Sequence, residues 1–220
     1  MKIIQSLSTL LSFICIFGLH GIWGCNGKEN KDKQENELTS SFSTTEESDI
    51  RKKITVLKDS LSQTPSNIDL LNEIAYSYAS INDRMALAYA DTLILIKHMD
   101  NAVAWGHFNK GIYYSNTGIT DSALIEYGAA IDADYKMIDA YIEKAILLYD
   151  QKDFTASFSL LEKATAVNQY ISSLYFWMAK NKQALGSKNE AIFYYRQCLE
   201  LKPSAEESKE AKEMIQKLEK

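Results

Sequence analysis

The sequence predicts an all-α fold in which the chain forms a solenoid from repeated pairs of antiparallel helices. Small and aromatic residues recur at an interval of ~34 residues, which accommodates two helices and their turns. The 220 residues also include only 2 Pro and 9 Gly, the two residue types that most disfavour helices. The recurring positions are His107, Tyr141 and Tyr175; Gly111, Ala145 and Ala179; Ala123, Ser157 and Ala191; Tyr127, Leu161 and Tyr195; and Ala130, Ala164 and Cys198.

Charge and cysteine content restrict the partners and sites that the chain can have. The formal net charge is -5, and basic residues are interspersed with acidic ones, so we expect no nucleic-acid partner. Cys15 and Cys25 lie in or beside an N-terminal apolar segment. Once that segment is processed, Cys198 has no cysteine partner, which excludes an internal disulfide and a cysteine-rich zinc site in the mature chain.

The N-terminal segment predicts the cellular location of the protein. Residues 1–24 contain Lys2 and then a run of apolar residues, the pattern of a secretory signal peptide. Ile22 and Gly24 before Cys25 resemble a bacterial lipobox, which implies cleavage of residues 1–24, lipidation of Cys25 and attachment to a membrane of the cell envelope, with the outer membrane expected. The alternative is an uncleaved membrane anchor.

The polar stretch after Cys25 separates the N-terminal signal segment from the repeats. Residues 25–48 are predicted to be a disordered tether, because they contain almost no large apolar residue. Within it, the charged run 28–33 is either a solvated spacer or an export signal to the outer face. Ser43 and Glu46 have the spacing of a capping box, which predicts the start of a helix. Apolar residues at helical spacing over 49–67 then predict a cap helix for the first repeat.

The interval of ~34 residues divides the remaining chain into four units and a closing helix. The second helix of unit one is ambiguous, because its buried small residues are either Ala86 and Ala90 or Ala88 and Thr92. The predicted segments are unit one at 68–103, unit two at 104–137, unit three at 138–171, unit four at 172–205 and a C-terminal capping helix at 206–220 with one apolar face.

These positions resemble the tetratricopeptide repeat, most clearly over 104–205. Gly111 and Ala123 provide its small positions in unit two, and Tyr114 and Tyr127 provide its aromatic ones. The resemblance implies a right-handed superhelix of antiparallel helix pairs, with the first helix of each pair on the concave side. It also implies binding of peptides, extended segments or helices of a protein partner, without catalysis.

The groups that an enzyme or a metal site needs do not converge in the sequence. Only His98 and His107 remain as histidines after removal of the signal segment, and they lie in different units. No glycine-rich phosphate loop, zinc-binding helix motif or nucleophile motif occurs. We therefore expect no enzyme activity, no catalytic residues, no metal and no cofactor.

A partner-binding groove is predicted on the concave side, at the first-helix positions that the resemblance places there. Trp105, Phe108 and Ile112 are spaced by three and four residues, so they share one helical face. Such apolar strips bind helices or apolar peptide side chains. The alternative is that these residues belong to the core. The predicted groove residues are Asn72, Tyr76, Trp105, Phe108, Ile112, Ile142, Ile146, Tyr149, Phe176 and Lys180.

One known use of the repeat is disfavoured by charge. Some tetratricopeptide domains hold the C-terminal carboxylates of a partner through Lys, Asn and Arg on their first helices. The matching positions here include Asn72, Tyr76, Asn109, Asp139 and Glu143, and the two acidic residues would repel a carboxylate. We therefore exclude a clamp of this kind.

The pattern as a whole predicts a membrane-anchored scaffold in the bacterial cell envelope that binds a protein partner through its concave groove. The alternative is a periplasmic holdase-type chaperone that binds apolar segments of many envelope proteins weakly.

Overall fold

The computed structural model describes residues 29–96 and 99–220, and this part of the chain consists of helices joined by short turns. The predicted signal peptide (1–24) and Cys25 lie outside the described residues. Within residues 29–96 and 99–220, no helix has the length and apolar composition needed to cross a membrane. The helices are α1 (Glu29–Gln63), α2 (Ile68–Ser80), α3 (Met85–Leu95), α4 (Asp100–Asn116), α5 (Thr120–Ala133), α6 (Ile138–Asp150), α7 (Phe154–Val167), α8 (Ser172–Ala184), α9 (Lys188–Glu200) and α10 (Ala205–Leu218).

The helices pair in chain order and the pairs stack, which confirms the predicted all-α solenoid. Helices α2 and α3, α4 and α5, α6 and α7, and α8 and α9 form the four units, and each unit packs against the next. The buried apolar residues form successive clusters along the stack. Each unit is therefore stabilised mainly by its neighbours, as in other solenoids.

The recurring small residues lie where two helices touch. Ala75, Ala145 and Ala179 are completely buried. Gly111 shows why the position must be small, because a Cβ atom there would lie 2.5 Å from the ring of Tyr127. The glycine thus lets α4 approach α5 closely enough to bury that ring, which is 1% exposed.

Each turn between the two helices of a unit contains one residue in the left-handed region. These residues are Asn82, Gly118, Lys152 and Gly186, with φ between 57° and 76°. Glycine reaches this region without strain, whereas a side chain such as that of Lys152 makes it less favourable. The shared backbone geometry keeps the four helix pairs alike even where the turn residue differs.

A polar network links unit three to unit four inside the core. The Ser157 hydroxyl donates a hydrogen bond to the Ala145 carbonyl at 2.7 Å, and Asn181 donates from Nδ2 to the Ser157 Oγ at 2.9 Å. The same amide nitrogen donates to the Trp177 carbonyl. The serine therefore replaces alanine in its register without leaving its hydroxyl unpaired, because α6 and α8 provide partners.

Unit one has the first of the two alternative registers. Ala86 and Ala90 are completely buried, whereas Ala88 and Thr92 are exposed. Helix α4 begins at Asp100, one turn before the predicted start of unit two, and its first turn buries Ala102. This extra turn accounts for part of the greater length of unit one.

The N-terminal helix is longer than predicted. Helix α1 begins at Glu29, so the prediction of a disordered tether is wrong from that residue onward, and Ser43 and Glu46 lie inside the helix rather than at its start. The segment is rich in Glu, Lys and Gln and lacks Pro, so it favours a helix even without apolar residues. The C-terminal half of α1 packs on unit one, and its residue Ile54 is 3% exposed.

The C-terminal helix covers the last unit. Ser204 and Glu207 form a reciprocal capping box at the start of α10. Ala211 is completely buried, and Met214, Ile215 and Leu218 pack against the cluster formed by α8 and α9. The charged remainder of α10 faces solvent, as in terminal helices that close a solenoid.

Candidate partner-binding groove

The first helices of the units form one face of the solenoid. Helix α2 contacts α4 and α6 contacts α8, whereas the second helices of successive units make no comparable contact in the described part of the chain. The stack must therefore curve toward the first helices. We call the surface formed by α2, α4, α6 and α8 the inner face. Helices α4 and α6 approach each other less closely than the other two pairs, so the inner face opens between units two and three.

Three of the predicted groove residues belong to the core. Phe108, Ile112 and Phe176 are 6%, 8% and 5% exposed, so the prediction that they present an accessible strip is wrong and the alternative of core residues applies. Phe108 packs on Tyr127 with ring centroids 5.7 Å apart. The close approach of α2 to α4, and of α6 to α8, buries these inner positions.

Trp105 lies between the core and the surface. Its ring is half-buried and meets Phe108 edge-on, with centroids 5.7 Å apart. It also packs against the cluster of Leu71 and Leu93 in unit one. Much of the tryptophan therefore stabilises the junction of units one and two, and only part of it is available to a partner.

Unit three provides the more accessible apolar surface of the inner face. Ile142, Ile146 and Tyr149 are half-buried along α6. The Tyr149 ring meets Trp177 of the next unit edge-on at 5.5 Å between centroids, which makes Trp177 a continuation of this surface that the sequence analysis missed. Trp177 lies 34 residues after Glu143 and so shares its register, but the predicted apolar strip did not include that register.

Lys180 is the predicted groove residue with a charge partner. Its Nζ atom lies 3.0 Å from Glu210 of α10 and 4.8 Å from the centroid of the Trp177 ring. An ion pair and a cation–π contact therefore hold the ammonium group, so it is already compensated within the chain.

Two carboxylates on α6 give the inner face its charge. Asp139 and Glu143 are one helical turn apart, so they lie on the same side of α6. Glu143 is half-buried, and this burial, followed by the charge of Asp139, raises its pKa to about 7. A carboxylate with so high a pKa lacks the positive neighbour that would stabilise its ionised form.

The negative charge on α6 also raises the pKa of tyrosines on other helices. Burial, and then the charges of Glu143 and Asp139, raise the pKa of Tyr76 on α2. Burial, followed by the charge of Glu143, raises the pKa of Tyr127 on α5. Side chains of α2, α5 and α6 therefore meet at the opening between units two and three.

Asn72 and Asn109 complete this region. Asn109 is completely buried, and its Nδ2 donates a hydrogen bond to the Asn72 Oδ1 at 2.8 Å. The Asn109 Oδ1 is also buried and accepts no hydrogen bond from the described residues. Asn109 and Glu143 are 34 residues apart and hence occupy equivalent positions of adjacent units, so both belong to the inner face.

A second charged cluster lies between α3, α4 and α5. His107 Nδ1 is 2.7 Å from Glu126, and Lys110 is 3.2 Å from both Glu126 and Asp91. Burial alone would raise the pKa of Glu126, but hydrogen bonds from His107 and Lys110 lower it. These groups compensate one another, and the described residues contain no cluster of His, Cys, Asp and Glu that could hold a metal ion.

Comparison with known sequences identifies one unit directly. Residues 172–205 match the sequence model of the tetratricopeptide repeat. They are also the residues that the period assigns to unit four. No curated protein matches the sequence.

Solved structures extend this result to the whole array. A tetratricopeptide-repeat protein from Thermus thermophilus superposes with a TM-score of 0.61 at 14% identity, over 82% of this chain and 98% of its own. The fold is a tetratricopeptide-repeat solenoid. A tetratricopeptide-repeat protein from Parabacteroides merdae, at 18% identity and a TM-score of 0.59, covers 80% of this chain and 67% of its own.

A third similar structure contains a bound peptide. The first tetratricopeptide repeat domain of the Spaghetti protein, bound to the HSP90 peptide SRMEEVD, is 27% identical and has a TM-score of 0.51, over 56% of this chain and 100% of its own. A tetratricopeptide-repeat solenoid indicates a scaffold for protein–protein interaction, and proteins of this fold are generally not catalytic.

Proposed function

We propose that this protein is a membrane-anchored adaptor of the bacterial cell envelope that binds a protein partner on its inner face. The observation that carries the proposal is the surface of α6. Ile142, Ile146 and Tyr149 remain half-buried there, and Asp139 and Glu143 have no ion pair or side-chain hydrogen bond with the residues that the structure describes. Accessible aromatic side chains are enriched at protein interfaces and often contribute most of the binding energy.

The Spaghetti domain supports peptide binding as a use of this fold, although its ligand differs in charge from what this chain would accept. Its peptide, SRMEEVD, is acidic. Asp139 and Glu143 would repel such a peptide at neutral pH, because like charges near each other in a partly buried site are unfavourable. The fold therefore indicates which face binds a partner, and the charge of this chain's own residues indicates which kind of partner it accepts.

Photo-crosslinking in cells tests the binding face. A photoreactive phenylalanine at position 142 should crosslink to one recurrent partner, whereas the same residue at position 193 should not, because Phe193 lies on the outer helix α9 and is 56% exposed. A broad set of envelope proteins from position 142 would instead support a holdase. Equal crosslinking from both positions, or none from position 142, would refute the adaptor.

The membrane anchor is tested separately. The sequence before Cys25 motivates it, and two or more acyl chains on that residue would hold the protein firmly, since each buried methylene contributes ~0.8 kcal/mol. Cys25→Ser should move the protein from the membrane fraction to the soluble fraction, with Cys198→Ser as the matched control because that thiol is buried. Retention of Cys25→Ser in the membrane fraction would refute the lipid anchor.

A further inference from the structure

The junction between units two and three is packed on one side only. On the inner face, α2 lies against α4 and α6 lies against α8, whereas α4 and α6 approach each other less closely. On the other side of this junction, α5 and α6 are in contact, and Tyr127 and Ala130 share an apolar cluster with Met137 and Ala140. Units two and three are therefore joined along α5 and α6 and separated along the inner face.

Polar and aromatic contacts bridge the neighbouring junctions. Between units three and four, Asn181 donates a hydrogen bond to Ser157 at 2.9 Å, and the rings of Tyr149 and Trp177 meet with centroids 5.5 Å apart. Between units two and three, the residues that the structure describes make no side-chain hydrogen bond, ion pair or ring contact. Apolar packing alone holds this junction.

The sequence shows why one bridge is absent. Asn116, the last residue of α4, donates from Nδ2 to the carbonyl of Ala79 in α2 at 3.2 Å. Asp150, the last residue of α6, occupies the equivalent position in unit three. The carbonyl equivalent to that of Ala79 belongs to Ser115, because each lies two residues before the C-cap of its helix. A carboxylate accepts hydrogen bonds but cannot donate them, so Asp150 cannot form this bridge.

A second bridge is absent between α5 and α6. In the preceding junction, Lys110 of α4 lies 3.2 Å from Asp91 of α3. Lys144 lies 34 residues after Lys110, and its Nζ atom would be 2.7 Å from a Cβ atom built at Gly128 of α5. The ammonium group thus meets a residue without a side chain, and Lys144 forms no ion pair in the described ranges.

The third bridge of units one and two is the hydrogen bond between Asn109 and Asn72. Phe108 occupies in α4 the position that Asn72 has in α2, nine residues before the C-cap. Glu143 occupies in α6 the position of Asn109. A phenyl ring has no hydrogen-bonding atom, so this bridge has no counterpart either. All three side-chain bridges of the first junction are therefore missing from the second.

We propose that the junction between units two and three is a hinge, about which units one and two rotate as one rigid body and units three and four as another. The contact of α5 with α6 provides the axis, and its apolar packing accommodates a change of angle because such packing is non-directional. This rotation sets the width of the opening between α4 and α6, and hence of the inner face. The hinge belongs to the free chain and does not require the partner of the proposed function.

Pulsed electron paramagnetic resonance on the full chain in detergent micelles tests the hinge. Nitroxide labels are attached to genetically encoded ketone-bearing residues, which leaves the native cysteines unchanged. The labelled positions are Thr117, Gln151, Leu185 and Glu219, the C-caps of α4, α6, α8 and α10. The pair 117–185 spans the hinge. The pair 151–219 has the same separation in sequence and lies within the second rigid body.

The pair that spans the hinge should have the broader distance distribution. We expect its width to be at least about 2-fold that of the 151–219 pair, because rotation of whole bodies adds to the local motion that both pairs share. This comparison uses the wild-type sequence outside the labelled positions, so it does not depend on any stabilising or destabilising variant. Equal widths for the two pairs would overturn the hinge.

Asp150→Asn should favour the closed form of the hinge. The new amide can donate to the Ser115 carbonyl, as Asn116 donates to Ala79. One added hydrogen bond should raise the population of short 117–185 distances about 2- to 10-fold. Asp150→Ala is the matched control, since it removes the same charge without adding a donor, and should leave the distribution unchanged. The same shift in both variants, or in neither, would contradict the missing bridge as the cause of the motion.

Gly128→Asp tests the second missing bridge. The new carboxylate can pair with Lys144, as Asp91 pairs with Lys110, and should reduce the spread of 117–185 distances at low salt. The effect should disappear in about 1 M salt, where charges are screened beyond about 3 Å. Gly128→Ala adds a Cβ atom without charge and should not reproduce it. A narrowing that persists in high salt, or that Gly128→Ala shares, would show that an ion pair is not what the junction lacks.

Discussion

Replacing Glu143 by glutamine should stabilise the folded protein at alkaline pH. Burial, followed by the charge of Asp139, raises the pKa of Glu143 from its ordinary value of 4.5 to about 7. Between these pH values the folded state binds more protons than the unfolded state, so the contribution of Glu143 becomes less favourable as pH rises through this window and then stays constant. Glutamine has nearly the same shape and cannot ionise, so it avoids this loss.

The size of the effect follows from the pKa difference. Each pKa unit corresponds to about 1.4 kcal/mol, so a folded pKa of about 7 against 4.5 gives an upper value of about 3 kcal/mol at pH 8. Glu143 is half-buried rather than completely enclosed, and solvent screening reduces the expected gain to about 2 kcal/mol. For a chain of this size that gain raises the melting temperature by roughly 4–8 °C.

Denaturation of wild-type and Glu143→Gln proteins by urea at pH 8 and pH 4.5 measures the effect. The variant should be more stable at pH 8, and the difference should nearly vanish at pH 4.5. Glu162→Gln, at an exposed position of α7, is the matched control and should change stability by less than about 0.5 kcal/mol at either pH. A Glu143→Gln variant that is equally stable or less stable at pH 8 would show that a positive group compensates the carboxylate, and the reasoning about the inner face would fail.

Three further substitutions test the packing, each by chemical denaturation. Phe108→Ala should lower the free energy of unfolding by about 3–5 kcal/mol because Phe108 is 6% exposed. Phe193→Ala, at a 56% exposed position, should change it by less than about 1 kcal/mol. Similar losses of stability in the two variants would place Phe108 on the surface. Gly111→Ala should destabilise by about 1–3 kcal/mol, since the added Cβ would lie 2.5 Å from the ring of Tyr127, and an unchanged stability would mean that the helices can separate freely. Lys152→Gly should stabilise by up to about 1 kcal/mol because φ is 65° at this turn, and a clear loss would show that the lysine side chain has a stabilising contact.

The interval of ~34 residues was enough to predict the fold, because a solenoid repeats the same local packing problem in every unit. The positions of Gly111 and Tyr127 identify a helix crossing wherever they recur. Apolar spacing did not predict the N-terminal half of α1, because this half has helix-forming residues but no apolar face.

The candidate site was only partly predictable for a related reason. Ile112 and Ile146 lie 34 residues apart and so occupy equivalent inner positions on α4 and α6, yet Ile112 is buried and Ile146 is half-buried. The difference arises because α4 lies against α2, whereas α4 and α6 approach less closely. Spacing between neighbouring units is a property of the assembled stack and has no signature within one repeat.

The sequence by itself determined the helix pairs, their order and the residues at their crossings, since each of these depends on contacts within a unit or with the next one. Only the tertiary structure decided which inner residues remain accessible and which charges lack a partner. Glu143 illustrates this, because a glutamate on a helix is ordinary in the sequence. Its burial beside Asp139, Tyr76 and Tyr127 depends on how three helices from different units meet, and that meeting makes it the centre of the candidate binding site.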